Sequence, residues 1–194
     1  DGFTANGIAI NSVEAVTNFE SVDVSNSDGH GFVIPFGNAE ISIDEMAIEA
    51  CGKTGISAGE NSNLDAIGLR VTNNQEHGLL LDEDTQAAIS FSLIDFNSFG
   101  IDMSEAGILE LNNSRLYGNN NAAIQSNSPT VLNHCNLAFN GGTGIVLTGN
   151  NFHTLNNSIL WGNNETNYTQ IDIGGGVIST SYSTVQGQSG YGVT

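Results

Sequence analysis

Nine times along the chain a small residue, usually Gly, precedes two apolar residues spaced two apart. Gly31-Phe32-Val33-Ile34, Gly78-Leu79-Leu80-Leu81, Gly100-Ile101-Asp102-Met103 and Gly144-Ile145-Val146-Leu147 are representative; Gln170-Ile171-Asp172-Ile173 and Gly190-Tyr191-Gly192-Val193 are the last two. The pattern returns every 20 to 26 residues. Short period-2 strands at that spacing, separated by polar turns, predict a solenoid in which each repeat forms one coil. No stretch has a 3.6-residue period, so helices are not expected.

Other positions keep the same phase. An apolar row runs through Val24, Ile48, Val71, Ile94, Leu116, Leu137, Leu160 and Val185. Three residues after each comes Ser27, Cys51, Asn74, Asn97, Asn119, Asn140, Asn163 or Gln188. Stacked coils place like residues about 4.8 Å apart, so consecutive Asn side chains can hydrogen-bond from coil to coil and satisfy turn carbonyls. Asn74, Asn97, Asn119, Asn140 and Asn163 are therefore expected to be structural. Two further inward rows contain Phe19, Ile43, Ala66, Ile89, Leu111, Leu132 and Leu155, and Val22, Met46, Leu69, Ser92, Ser114, Cys135 and Ser158. Each coil thus has three short strands, called here first, second and third. A tight bend, the Asn turn and a variable loop separate them.

These rows resemble the asparagine ladder of right-handed parallel β-helices in the pectate-lyase-like superfamily. The run Asn156-Asn157-Ser158-Ile159-Leu160-Trp161-Gly162-Asn163 resembles coils of secreted bacterial β-helix repeat proteins. The resemblance covers essentially all 194 residues. It implies an all-β, right-handed parallel β-helix of about eight coils, close to 40 Å long. It also implies a bacterial location that is secreted or on the cell surface. Its members include pectate lyases, polygalacturonases, tailspikes, adhesins and ice-binding proteins, so the family constrains fold more than activity.

The chain is expected to be one domain, residues 1–194, cut from something longer or covered at its ends by a partner. Three basic residues, Lys53, Arg70 and Arg115, stand against 21 acidic ones, a formal charge of −18. That balance disfavours nucleic acid and anionic membranes as partners, and no segment reads as membrane-inserting. Cys51 and Cys135 fall four coils apart, roughly 19 Å, too far for a disulfide.

Lyases on this fold resemble one another in placing a basic residue on the outer face of the first strand, where this chain has none. Arg70 and Arg115 fall on the second strand, two coils apart. With Asp23, they are the candidate ligand contacts. Hydrolases pair carboxylates, and Glu20, Asp44 and Glu45 form the best cluster. Gly29-His30-Gly31 matches a short hydrolase motif, but without its companion Asp pair or Arg-x-Lys. The loop run Asp82-Glu83-Asp84, with Glu60 and Glu105 in adjacent loops, is the metal candidate. Its all-oxygen chemistry would suit calcium, although no cofactor is required. The reading leans away from an enzyme: a non-catalytic rod serving as adhesin, spacer or module that contacts polysaccharide or cell-surface glycan. The alternative is a glycan-cleaving enzyme, a hydrolase before a lyase.

Overall fold

The structure, a computed structural model, describes residues 5–10, 14, 16–34, 36–103, 106–167 and 169–187. The repeat at 190–193, Gln188 and Glu105 lie outside the described residues. Every described element is a β-strand. Third strands such as Phe32–Ile34, His77–Leu81 and Ile145–Leu147 stack into one eight-stranded sheet in chain order. All strand pairs are parallel, each with the equivalent strand of the next coil. First and second strands form the other walls. In two coils they differ from the expected short strands, because Val16–Ser25 and Glu40–Glu49 pass through the bend unbroken. The walls consequently join there into a single 14-stranded sheet.

Two positions per coil explain the bends. One row holds Ser21, Glu45, Gly68, Phe91, Asn113, His134, Asn157 and Tyr182; the other holds Asn26, Ala50, Asn73, Phe96, Gly118, Phe139, Gly162 and Gly187. All have positive φ, between 48° and 72°. The left-handed conformation costs a non-Gly residue roughly 1–2 kcal/mol, so its recurrence at fixed phase shows that the closed coil imposes it.

Inside, the alternation of each strand delivers one apolar side chain per row. Ile43, Ile89, Leu111 and Leu155 are at most 1% exposed, as are Ile48, Val71, Ile94, Leu116, Leu137 and Leu160. The Asn row forms as expected. The backbone N–H and side-chain Nδ2 of Asn97 both donate to Asn119 Oδ1, at 3.0 and 3.2 Å. Asn119 donates likewise to Asn140 at 3.0 and 2.9 Å, and Asn140 to Asn163 at 3.0 and 2.7 Å. Each Nδ2 also reaches a strand carbonyl, as Asn119 does to Ile94 at 3.1 Å. Gln170, from the strip before the next third strand, ends the column by accepting from Asn163 Nδ2 at 2.6 Å.

A second ladder lies at the first bend. The backbone N–H groups of Leu69, Ser92, Cys135 and Ser158 donate to the hydroxyls of Ser92, Ser114, Ser158 and Ser183, at 3.0 to 3.2 Å. Those hydroxyls donate onward to carbonyls such as Ser90 and Asn112, both at 2.8 Å. Cys135 occupies this row as a free, buried thiol whose pKa burial raises to about 11. It is inert packing, not a nucleophile.

One inward row of the first strand turns polar at Thr130 and then at His153. His153 is 1% exposed and neither ring nitrogen has a hydrogen-bond partner. Burial lowers its pKa, so the folded chain holds the ring neutral while the unfolded chain protonates near 6.5. Below that pH the unfolded state binds the extra proton, and stability falls until the folded pKa is passed. The equivalent inward positions hold Leu64 and Leu109. His153→Leu is therefore expected to melt higher than the parent, with the gap wider at pH 5 than at pH 8. An equal gap at both would mean that the ring is not titrating.

Candidate functional site

The outer face of the first-strand wall is built by the residues that alternation leaves outside. Val16, Glu40, Asn63, Gln86 and Ile108 stand in one row, and Asn18, Ser42, Asp65, Ala88 and Glu110 in the next. Ser42 and Ala88 are short beside longer neighbours, and the surface dips there. The result is an open groove of about 580 Å³ lined by both rows. A polar depression of about 480 Å³ adjoins it among the variable loops and shares Glu40, Asn63 and Gln86. Asn38, Asn61 and Asp84 line this loop side. Together they form one trough along the rod, crossing five coils at about 4.8 Å each.

The trough offers carboxylates (Glu40, Asp65, Asp84, Glu110), amides (Asn18, Asn38, Asn61, Asn63, Gln86) and the hydroxyls of Ser42 and Ser62, with Val16 and Ile108 as apolar ends. None of the three basic residues lines it. This chemistry suits many hydroxyl groups in a row and supplies no cationic base. Farther along the same wall, Asn133 donates to Asn112 and Asn156 to Asn133, each at 3.0 Å. Those outward amides are spent on one another.

The expected site residues fall partly together. Glu20 and Asp44 pair in adjacent strands and are both exposed. Glu45 follows at the bend with φ 57°. The three thus cluster, but two residues beyond the groove, about 7 Å along the strand. Asp23, Arg70 and Arg115 share one outward row of the second strand, with Ala47 and Leu93 between them. Arg70 lies 3.9 Å from Glu49, and Arg115 lies over the Tyr117 ring at 4.3 Å. His30 sits in the turn before a third strand, away from the groove. Burial and then Lys53 lower its pKa.

In the loops, only Asp84 of the acidic run lines the trough. Asp82 is half-buried, and burial, Glu60 and Asp102 all raise its pKa. Among the described residues, no three His, Cys, Asp or Glu side chains gather as a metal site. Because the folded state protonates Asp82 more readily than the unfolded state, its charge weakens the fold at neutral pH, and this is relieved as pH falls toward the unfolded value. Asp82→Asn is expected to raise the melting temperature at pH 7, with the gain shrinking toward pH 4. A constant gain would point to loop packing.

The family model described as right handed beta helix region matches residues 1–130. The chain belongs to that family. As in the family's description, the parallel coils here wind right-handed, the hand favoured for parallel crossovers. Neither the curated proteins nor the solved structures yield a match. The trough on this β-helix was only half legible beforehand. The repeat phase alone places Asp65, Ala88 and Glu110 in one outward row. The depression itself depends on side-chain length at Ser42 and Ala88, and a search for clustered charge passes over those positions. No helix among the described residues is long and apolar enough to cross a membrane.

Proposed function

We propose that this β-helix is a non-catalytic rod, secreted or held on a bacterial surface, that contacts polysaccharide along its first-strand wall. The observation carrying the reading is the trough running parallel to the axis, whose amides and carboxylates recur coil after coil. A ligand with the same translational repeat, such as a chain of sugars, can use every step. Among the described residues of the loops beside it, none builds a wall over a bound bond to exclude water, as catalysis would favour.

The test is a glycan array on the purified chain, with reducing-sugar and unsaturated-product readouts. Binding without product is expected, weakened at least tenfold by Asn63→Ala with Gln86→Ala. A second reading has one observation in its favour. Asp65 and Glu110 share a row two coils apart, with Ala88 between. That is about 10 Å, near the upper end of the spacing used by inverting glycosidases, roughly 6.5–9.5 Å. Reducing ends that appear with the parent and vanish with Asp65→Asn would replace the rod by a hydrolase.

A further inference from the structure

Four consecutive coils each carry one large aromatic residue at the Asn turn. Phe96 and Phe139 occupy the left-handed position, with φ 53° and 55°. Tyr117 and Trp161 sit one residue earlier in the alternate coils, at the end of the second strand. Phe96 and Tyr117 meet edge to face with ring centroids 5.8 Å apart and planes at 84°, and Tyr117 meets Phe139 likewise at 5.7 Å and 66°. Trp161 stands beside Ala138, the neighbour of Phe139, and accepts the Phe139 N–H at 3.0 Å. Phe96, Phe139 and Trp161 are 50%, 52% and 46% exposed.

The surrounding sequence makes room for these rings. Gly118 and Gly162 follow Tyr117 and Trp161, and a Cβ on either would lie 2.7 Å from the Phe96 or Phe139 ring. The same left-handed row holds Asn26 and Asn73 in the earlier coils, where a small polar residue adopts this conformation with less strain. Two phenylalanines in that row are worse for the fold than Asn, and they gain little by burial. Residues kept in strained conformations and turned to solvent point to a role outside folding.

We propose that Phe96, Tyr117, Phe139 and Trp161 form a stacking strip for an uncharged, β-linked pyranose chain lying parallel to the rod axis. The C–H face of a pyranose is apolar and slightly electropositive, the complement of the negative face of an aromatic ring. Equivalent positions recur every second coil, Phe96 with Phe139 and Tyr117 with Trp161, about 10 Å apart, close to the advance of two sugars in an extended chain. Its borders bear hydrogen-bonding groups for the hydroxyl edge, including the Tyr117 phenol and Asn136, and the Arg115 guanidinium stacks on Tyr117.

Other occupants fit less well. A second copy would bring another −18 charge against the first. The three half-exposed rings also offer about 300 Å², at roughly 150–250 Å² per aromatic side chain, against about 800 Å² per partner in a stable protein interface. The same charge opposes anionic lipid and nucleic acid.

The inference rests on the reading of the rod as a glycan-contacting module, but it concerns a different wall, past the bend from the trough. Trp161 is the chain's single tryptophan, so its emission reports on the strip alone. The parent chain is titrated with tetra- to hexa-oligosaccharides of β-linked glucose, xylose, mannose and N-acetylglucosamine. Fluorescence is followed together with calorimetry. A saturable change in Trp161 emission is expected with at least one series. Affinity should fall at least tenfold in Phe96→Asn with Phe139→Asn, a variant expected to melt no lower than the parent because Asn already serves this row. Binding seen by calorimetry with unmoved Trp161 emission, and unaffected by that variant, would overturn the strip while leaving the trough. Loss of binding in Asn63→Ala with Gln86→Ala, with the Trp161 response retained for other oligomers, would do the reverse. No binding by any of the four series overturns the strip.

Discussion

Asn119→Ala is expected to destabilise the fold by about 2–4 kcal/mol. Asn119 is central in its column and serves both neighbours. Its Oδ1 accepts two bonds from Asn97, and its Nδ2 donates to Asn140 and to the Ile94 carbonyl. Truncation takes a bond from four buried groups; the Asn97 Nδ2 keeps the Val71 carbonyl and the Asn140 Oδ1 keeps the residue 119 N–H, and a group left bare costs roughly 1–3 kcal/mol unless water reaches it. The column is at most 1% exposed at Asn97, Asn119 and Asn140, so water enters only if the turn opens. Denaturant melts of Asn119→Ala and of an exposed control, Asn120→Ala, measure this. The control should stay within about 0.5 kcal/mol of the parent, and equal midpoints for the two variants would refute a structural column.

Gly100→Ala is expected to have an effect of similar size, about 2–3 kcal/mol, through overpacking. A Cβ at residue 100 would lie 2.2 Å from the Ala123 carbonyl oxygen and 3.1 Å from Leu116. The first is backbone in the next coil, already held by the Ile101 N–H at 2.9 Å, so it has little freedom to withdraw. The row does accept Ala once, at Ala123, and there the next backbone bond, from Ala123 N–H to Thr143, stretches to 3.3 Å. A second Ala in the adjacent coil would stack one accommodation upon another. Gly100→Ala melting within half a degree of the parent would show that the coils slide more freely than their contacts suggest.

How much could be read beforehand followed the geometry of repetition. Whatever recurs at the same phase and points inward was legible: the Gly before most third strands, the apolar rows and the Asn column. The serine ladder was half legible. Ser92, Ser114 and Ser158 marked a row of small side chains, but that their hydroxyls bridge backbone groups depends on a bend angle that only coordinates supply. The outer surface was least legible, because it repeats by alternation. Phe96 and Phe139 share a row with glycines, so a search for conserved phase discards them, and Tyr117 and Trp161 fall one residue out of step. The Glu20, Asp44 and Glu45 cluster was found because like charges attract notice. The trough beside it, defined by the shortness of Ser42 and Ala88, was not.

The parallel, in-register stacking has a mechanical consequence. Nearly every hydrogen bond between coils, in backbone and ladders alike, lies along the rod axis, and each coil contacts only its neighbours. Tension between the two ends therefore loads these bonds in series, and the terminal coil peels before the interior yields. Equivalent residues such as Asn74 and Asn97 are 23 positions apart. Each coil released would thus lengthen the chain by about 80 Å, at roughly 3.3–3.6 Å per residue. A rod tethered between two surfaces would give way in steps, dissipating load one coil at a time while the remainder stays folded.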